Sequence, residues 1–179
     1  MIRREDTVFV AVDFQERLMP VMSERERLED KVCRLAAGMK ALGIPHIVTQ
    51  QYTRGIGETI PSVAEAIGEF TYVEKTSFSC MQNQEFARIL QETGRKTAVV
   101  CGIEAHICVM QTVLEMLEQG YQVYVPVDCL SSRSDVDYMW AAERMERAGA
   151  VVTTYEAILY ELLGDSKAPE FKAISAIVK

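Results

Sequence analysis

Three residues of this chain combine side-chain type and placement in a way that suits covalent chemistry: Asp13, Lys75 and Cys108. A thiol supplies a nucleophile, a carboxylate can take and return its proton, and an ammonium stabilises nearby negative charge. Those are the parts that acyl transfer through a thiol needs. Cys108 stands where the apolar run 97–101 gives way to a helical pattern. Val109, Val113, Met116 and Leu117 recur at three- and four-residue steps, and Gly120 closes the pattern. A cysteine in the first turn of a helix lies near unpaired N–H groups and the positive end of the helix dipole, so the position is expected to favour thiolate over thiol. The alternative for the same residue is a small buried hydrophobe, and its partners elsewhere in the chain decide between the two.

Each of the three is delivered by a strand. Residues 7–13, TVFVAVD, form an apolar run that ends in the carboxylate of Asp13. Lys75 follows a short strand at 70–73, and Cys108 follows the strand at 97–101, which Gly102 is expected to break. In open parallel sheets ligands bind beyond the C-terminal strand ends, so all three fall on the edge where a site belongs. The helices between them carry their own punctuation. Ser23 and Glu26 have the form of a capping box, opening a helix through Leu28, Val32, Leu35 and Met39 to Gly43. Asn83 caps a helix through Phe86, Ile89 and Leu90, and Ser134 with Asp137 caps another that runs to Gly149. Further strands are predicted at 44–50, 122–127 and 151–154, with Asp128 a second acid at a strand end and residues 128–134 a polar loop. Six strands alternating with helices predict an α/β fold, an open six-stranded parallel sheet covered on both faces, in a single domain spanning residues 1–179. An amphipathic tail at 171–178 is placed to pack on this domain or on a neighbour.

Composition narrows the function. The chain has 179 residues, 49% hydrophobic and 25% charged, as expected of an ordinary globular domain. A formal charge of -7, with no Lys/Arg cluster beyond Arg3 and Arg4, argues against nucleic acid as a partner. No apolar run reaches the ~20 residues of a membrane span and the N-terminus carries no signal-peptide pattern, so no membrane partner and a cytoplasmic location are expected. Five cysteines without a C-x-x-C pair, and two histidines far apart, predict reduced thiols and no metal site. The G-I-G at 55–57 lacks the remaining glycine and the strand-to-helix setting of a dinucleotide fingerprint, so no cofactor is expected. Its loop, 51–61, lies on the same sheet edge as Asp13 and offers Tyr52 and Arg54 as possible substrate contacts.

The segments VFVAVDFQ, EKTSFSC, VVCGIEAHICVMQT and VDCLSSRS followed by GAVVTTYE together resemble the isochorismatase-like cysteine hydrolase superfamily, over nearly the whole chain. The resemblance implies a three-layer α/β/α sandwich, with Asp13, Lys75 and Cys108 as a catalytic triad. It implies a cis peptide between Ile103 and Glu104, and an oxyanion hole formed by the backbone N–H groups of Glu104 and Cys108. It also implies a small-molecule substrate, with Phe14, Tyr52 and Phe78 as candidate contacts, and a homo-oligomer. Isochorismatases proper lack the nucleophile, so Cys108 points to hydrolysis of an amide or related C–N bond through a thioester. The nicotinamidase branch carries an Asp/His metal site after the second strand, and QQYTRGIGE has no histidine there, which argues for the metal-independent branch. Glu104 stands where many relatives carry Thr. A second reading, from another class, is a non-catalytic α/β module whose thiol senses oxidants or whose surface binds a partner.

Overall fold

The computed structural model describes residues 1–179. Six parallel strands run in the order β3-β2-β1-β4-β5-β7. They are β1 (Thr7–Val12), β2 (His46–Gln51), β3 (Tyr72–Lys75), β4 (Thr97–Ile103), β5 (Gln122–Pro126) and β7 (Val151–Thr153). A seventh strand, β6 (Leu130–Ser131), lies off this path and pairs with the end of β4, Gly102 opposite Leu130 and Ile103 opposite Ser131. It falls in the stretch read from sequence as a polar loop, because two residues are too few to show any period. The central strands β1 and β4 are buried along their whole length, which is why each reads as an unbroken apolar run.

Helices cover both faces. Helix α1 (Arg25–Ala41) packs against α3 (Pro61–Ile67), α7 (Tyr155–Leu163) and α8 (Phe171–Val178) in one layer. On the other side α5 (Met110–Glu118) packs against α6 (Asp135–Arg147), and α4 (Gln84–Glu92) lies on the crossover from β3 to β4. A single helical turn, α2 (Thr53–Ile56), interrupts the loop after β2. The amphipathic tail packs on its own domain: Ile174 is buried, and α8 contacts α1 and α7. No helix is long and apolar enough to cross a membrane.

Three local expectations are corrected. Ser23 does not cap α1. The helix begins after Glu24, which has φ 50°, and no side chain caps it. The Ser23 hydroxyl instead donates to Asp135 Oδ1 at 2.5 Å, tying the start of α1 to the start of α6. Strand β3 sits two residues later than its apolar content suggested, so Lys75 is its last residue, paired with Gln51 of β2. Gly102 does not end β4; it continues the strand with φ 153°, pressed against β1 so closely that a Cβ would lie 2.5 Å from Val12 Cβ. The caps at Asn83 and Ser134 form as expected, accepting from Phe86 N at 3.0 Å and Asp137 N at 3.4 Å.

Candidate active site

Asp13 is the residue at which β1 stops. Its φ of 56° is one that Asp tolerates better than most residues, and it turns the chain away while leaving the carboxylate inside. That carboxylate is fully buried and fully engaged: Oδ1 accepts from Thr49 Oγ1 at 2.7 Å and Oδ2 from Lys75 Nζ at 2.6 Å. Lys75 reaches it because β3 is a short strand whose side chains alternate between exposed and buried, and position 75 falls on the buried side. The ammonium also donates to Gln51 Oε1 at 2.7 Å and to the carbonyls of Ser77 and Phe78, each at 3.3 Å. Burial pulls the Lys75 pKa down, but the Asp13 carboxylate, with contributions from Cys80 and Cys108, more than reverses this, and the group stands above the ordinary lysine value.

Cys108 occupies a π-helical turn, Ala105–Val109, that precedes α5. It is 6% exposed and within electrostatic reach of both Asp13 and Lys75. Burial pushes its thiol up to about 12 and the Asp13 carboxylate pushes the same way, while Lys75 pulls back only in part. The expectation of a thiolate favoured by helix position is therefore overturned. The resting group is a neutral thiol, because loss of water around a buried anion outweighs the field of one helix end.

The turn before Cys108 carries the other backbone features. The Ile103–Glu104 peptide is cis. The Glu104 carbonyl accepts from Ile107 N at 3.1 Å and Val109 N at 3.3 Å, while the Glu104 N–H has no acceptor within the chain. This leaves a buried donor at the mouth of the turn that holds the thiol.

Around these residues lies a second set that sequence reasoning did not single out. Thr49 and Gln51 close β2 and hold Asp13 and Lys75 respectively; their signal was a pair of polar positions at the end of an apolar strand. Gln51 is itself held through its Nε2 on Thr76 O at 2.8 Å and its N–H on Gln15 Oε1 at 2.7 Å. Thr112 links the backbones of two cysteines, its hydroxyl donating to the Cys108 carbonyl at 2.7 Å and accepting from the Cys80 N–H at 2.9 Å. Cys80 is fully buried and pushed up to about 11, chiefly by burial.

The candidate substrate contacts divide. Tyr52 and Phe78 are 53% and 54% exposed at the strand ends, whereas Phe14 is 2% exposed and belongs to the core. Arg54 lies in α2. Asp128, the other strand-end acid, accepts from Tyr155 N at 2.9 Å and makes no hydrogen bond to Asp13, Lys75 or Cys108. Burial raises its pKa, and it lines a cavity of about 280 Å³ between the starts of α1 and α6, away from Cys108. No group of three or more His, Cys, Asp or Glu side chains is arranged to hold a metal ion.

The Isochorismatase domain matches residues 7–157. Isochorismatase domain-containing protein 1 of Salmo salar is 39% identical over 173 residues, 97% of this chain but 61% of the relative, so this chain spans less than two thirds of that protein's length. A structure described as MAR1 ribonuclease from Caenorhabditis elegans superposes with a TM-score of 0.92 at 36% identity, covering 99% of this chain and 91% of the other. The Escherichia coli YcaC gene product, described as an octameric hydrolase of unknown specificity, shares the fold with a TM-score of 0.93 at 22% identity, covering 98% and 88%. With the family match, the relatives and the fold in agreement, this chain belongs to the isochorismatase-like hydrolase family.

Proposed function

We propose that the protein is a metal- and cofactor-independent cysteine hydrolase of a small amide or related C–N acyl compound. One observation carries the reading: a fully buried carboxylate and ammonium, 2.6 Å apart, stand at one sheet edge beside a neutral thiol. As Cys108 Sγ bonds to the acyl carbon, the thiol proton passes to Asp13 and the C=O electrons move onto oxygen. The N–H groups of Glu104 and Cys108 receive that oxyanion, a contribution of about 2.7 to 4 kcal/mol per donor in other enzymes. Collapse breaks the C–N bond, and the leaving nitrogen takes the proton from Asp13, giving a thioester. Water then surrenders a proton to Asp13 as its oxygen adds to the same carbon, and the departing sulfur takes that proton back from Asp13, which releases the acid and restores both the thiol and the carboxylate. Lys75 holds the Asp13 carboxylate in place between proton transfers. Tyr52 and Phe78 border the substrate at the strand ends.

The protein acts in the cytoplasm, where its five unpaired cysteines stay reduced, and it does so as a homo-oligomer. Exposed Val136, Met139 and Trp140 on one stretch of α6 support that assembly. Sedimentation at micromolar concentration reads this, and a monomer there removes it.

The test of function is intact-mass measurement after incubation with a pool of amides, ureas and esters. An acyl adduct on the native protein that is missing from Cys108→Ala supports the reading. No adduct and no product with any member, together with reversible oxidation of Cys108, favours a redox-sensing module instead. RNA belongs in the same panel because one related structure is described as a ribonuclease. The charge of -7 argues against it, and Cys108-dependent RNA cleavage would displace the amide reading.

A further inference from the structure

Glu104 is an unusual residue to find beside a reaction that develops negative charge. Its side chain is 9% exposed, and covalent attachment keeps its carboxylate close to its own N–H, one of the two proposed oxyanion donors. An unneutralised carboxylate there would repel the oxyanion it is meant to help stabilise. The chain supplies a specific partner. Arg133, in the loop that follows β6, donates its backbone N–H to Oε2 at 3.0 Å and its Nε to Oε2 at 3.0 Å and Oε1 at 3.2 Å.

The same contact has a mechanical side. The Glu104 carbonyl anchors the turn that carries Cys108, through Ile107 N and Val109 N. Its side chain anchors that turn to the β6 loop, and a second tie runs in parallel, from His106 Nδ1 to Ser132 Oγ at 2.9 Å. Leu130 and Ser131 in turn pair with Gly102 and Ile103, so loop and turn share one rigid strand end.

We propose that Arg133 and Glu104 are positioning residues for the reaction at Cys108, Arg133 by neutralising the buried Glu104 carboxylate and both by fixing the nucleophile turn to the β6 loop. The proposal rests on the acyl-transfer reading above. The charged and titratable groups that bear on it are few. His106 lies on the same turn, with Asp137 of α6 4.0 Å from its Nε2. Asp13, Lys75 and Cys80 face Cys108 from the other side. None of these five contacts Glu104 in place of Arg133, so removing the guanidinium leaves the carboxylate without a cation.

The test uses Arg133→Ala, Glu104→Gln and the double variant in the full-length protein, with two readouts. The first needs no substrate: the rate of Cys108 alkylation by iodoacetamide between pH 7 and 11, counted by mass on that residue. Arg133→Ala is expected to slow it several-fold at each pH, and Glu104→Gln/Arg133→Ala to recover most of the loss, because the double variant removes the stranded charge while the amide oxygen still accepts from the backbone N–H at position 133 and the tie from His106 to Ser132 keeps the turn on the β6 loop. The second, with any amide the native protein turns over, is a fall in kcat of about tenfold or more for Arg133→Ala with KM little changed, again recovered in the double variant. A role in packing alone predicts the reverse, a double variant at least as impaired as the single, and that result overturns the proposal. Unchanged alkylation in Arg133→Ala overturns it too. If the native protein turns over no amide while the alkylation pattern holds, the acyl-transfer reading fails and the charge-balancing role of the pair stands.

Discussion

Lys75 Nζ lies 2.6 Å from Asp13 Oδ2, and neither side chain has any solvent-exposed surface. Two charges in such a place are held by each other and by their remaining hydrogen bonds, from Thr49 to Asp13 and from Lys75 to Gln51, Ser77 and Phe78. Removing one member strands the other without water. Lys75→Met is therefore expected to lower unfolding free energy by about 3 to 5 kcal/mol and to abolish turnover, since the Asp13 carboxylate then loses the ammonium that holds it in place. Urea denaturation measures the first effect. A change below about 1 kcal/mol would mean that the pair is solvated in solution, contrary to its burial here.

Asp13 also controls the thiol. Its carboxylate is one of the groups that hold Cys108 up to about 12, so at pH 7 the protein carries a thiol and iodoacetamide is expected to react slowly. The sign for Asp13→Asn follows from charge: removing an anion beside Cys108 makes its thiolate easier to form, so alkylation at pH 8 to 9 is expected to speed up. Hydrolysis is expected to vanish, because no base remains to carry the proton from sulfur to the leaving nitrogen. Faster alkylation with lost turnover separates a proton carrier from a residue that only supports the fold, in which case both rates would fall together.

How much of this was legible beforehand depends on the range of each interaction. Strands β1 and β4 are buried throughout and announce themselves as apolar runs ending at Asp13 and ahead of Cys108, so the sheet edge and the places of these two residues on it could be read directly. Lys75 was placed at the right edge but outside its strand, because a four-residue strand with two exposed positions gives a faint alternation. The capping signal of Ser23 was real chemistry directed elsewhere, to Asp135, 112 residues away. The protonation of Cys108 was misjudged because helix position is local, whereas burial is set by everything packed around the thiol. Thr49, Gln51 and the Glu104–Arg133 pair are ordinary polar residues in sequence, and only the parallel register of β1, β2 and β3 and the docking of β6 on β4 bring them to the site.

Thr49 is the simplest of these to probe. Its hydroxyl donates to the buried Asp13 Oδ1 at 2.7 Å, and valine keeps the shape while removing the donor. Thr49→Val is expected to cost about 1 to 3 kcal/mol in stability, the penalty of leaving a buried acceptor short of a partner. Urea denaturation reads the loss, and a variant as stable as the native protein would mean that another donor replaces the hydroxyl at Asp13 Oδ1.

Gly102 sits where fold and site are joined. Its φ of 153° and its lack of a Cβ, which would clash with the Val12 carbonyl oxygen, let β4 run flush against the end of β1, so that Asp13 and the Cys108 turn leave the sheet side by side. A methyl group there meets Val12 backbone atoms rather than the tip of a flexible side chain, so β1 or β4 must shift to admit it. Gly102→Ala is expected to destabilise by more than about 1 kcal/mol, the scale at which alanine forced into positive φ departs from the mild gain seen at compatible sites. The shift also separates base from nucleophile, and a misplacement of about 1 Å is enough to cost on the order of 10²-fold in rate. Turnover is therefore expected to fall well before the fold is lost: at a temperature where circular dichroism shows the variant fully folded, acylation of Cys108 should already be slowed by that order. Native acylation rates in a folded Gly102→Ala protein would mean that the β1–β4 contact does not set the distance between Asp13 and Cys108.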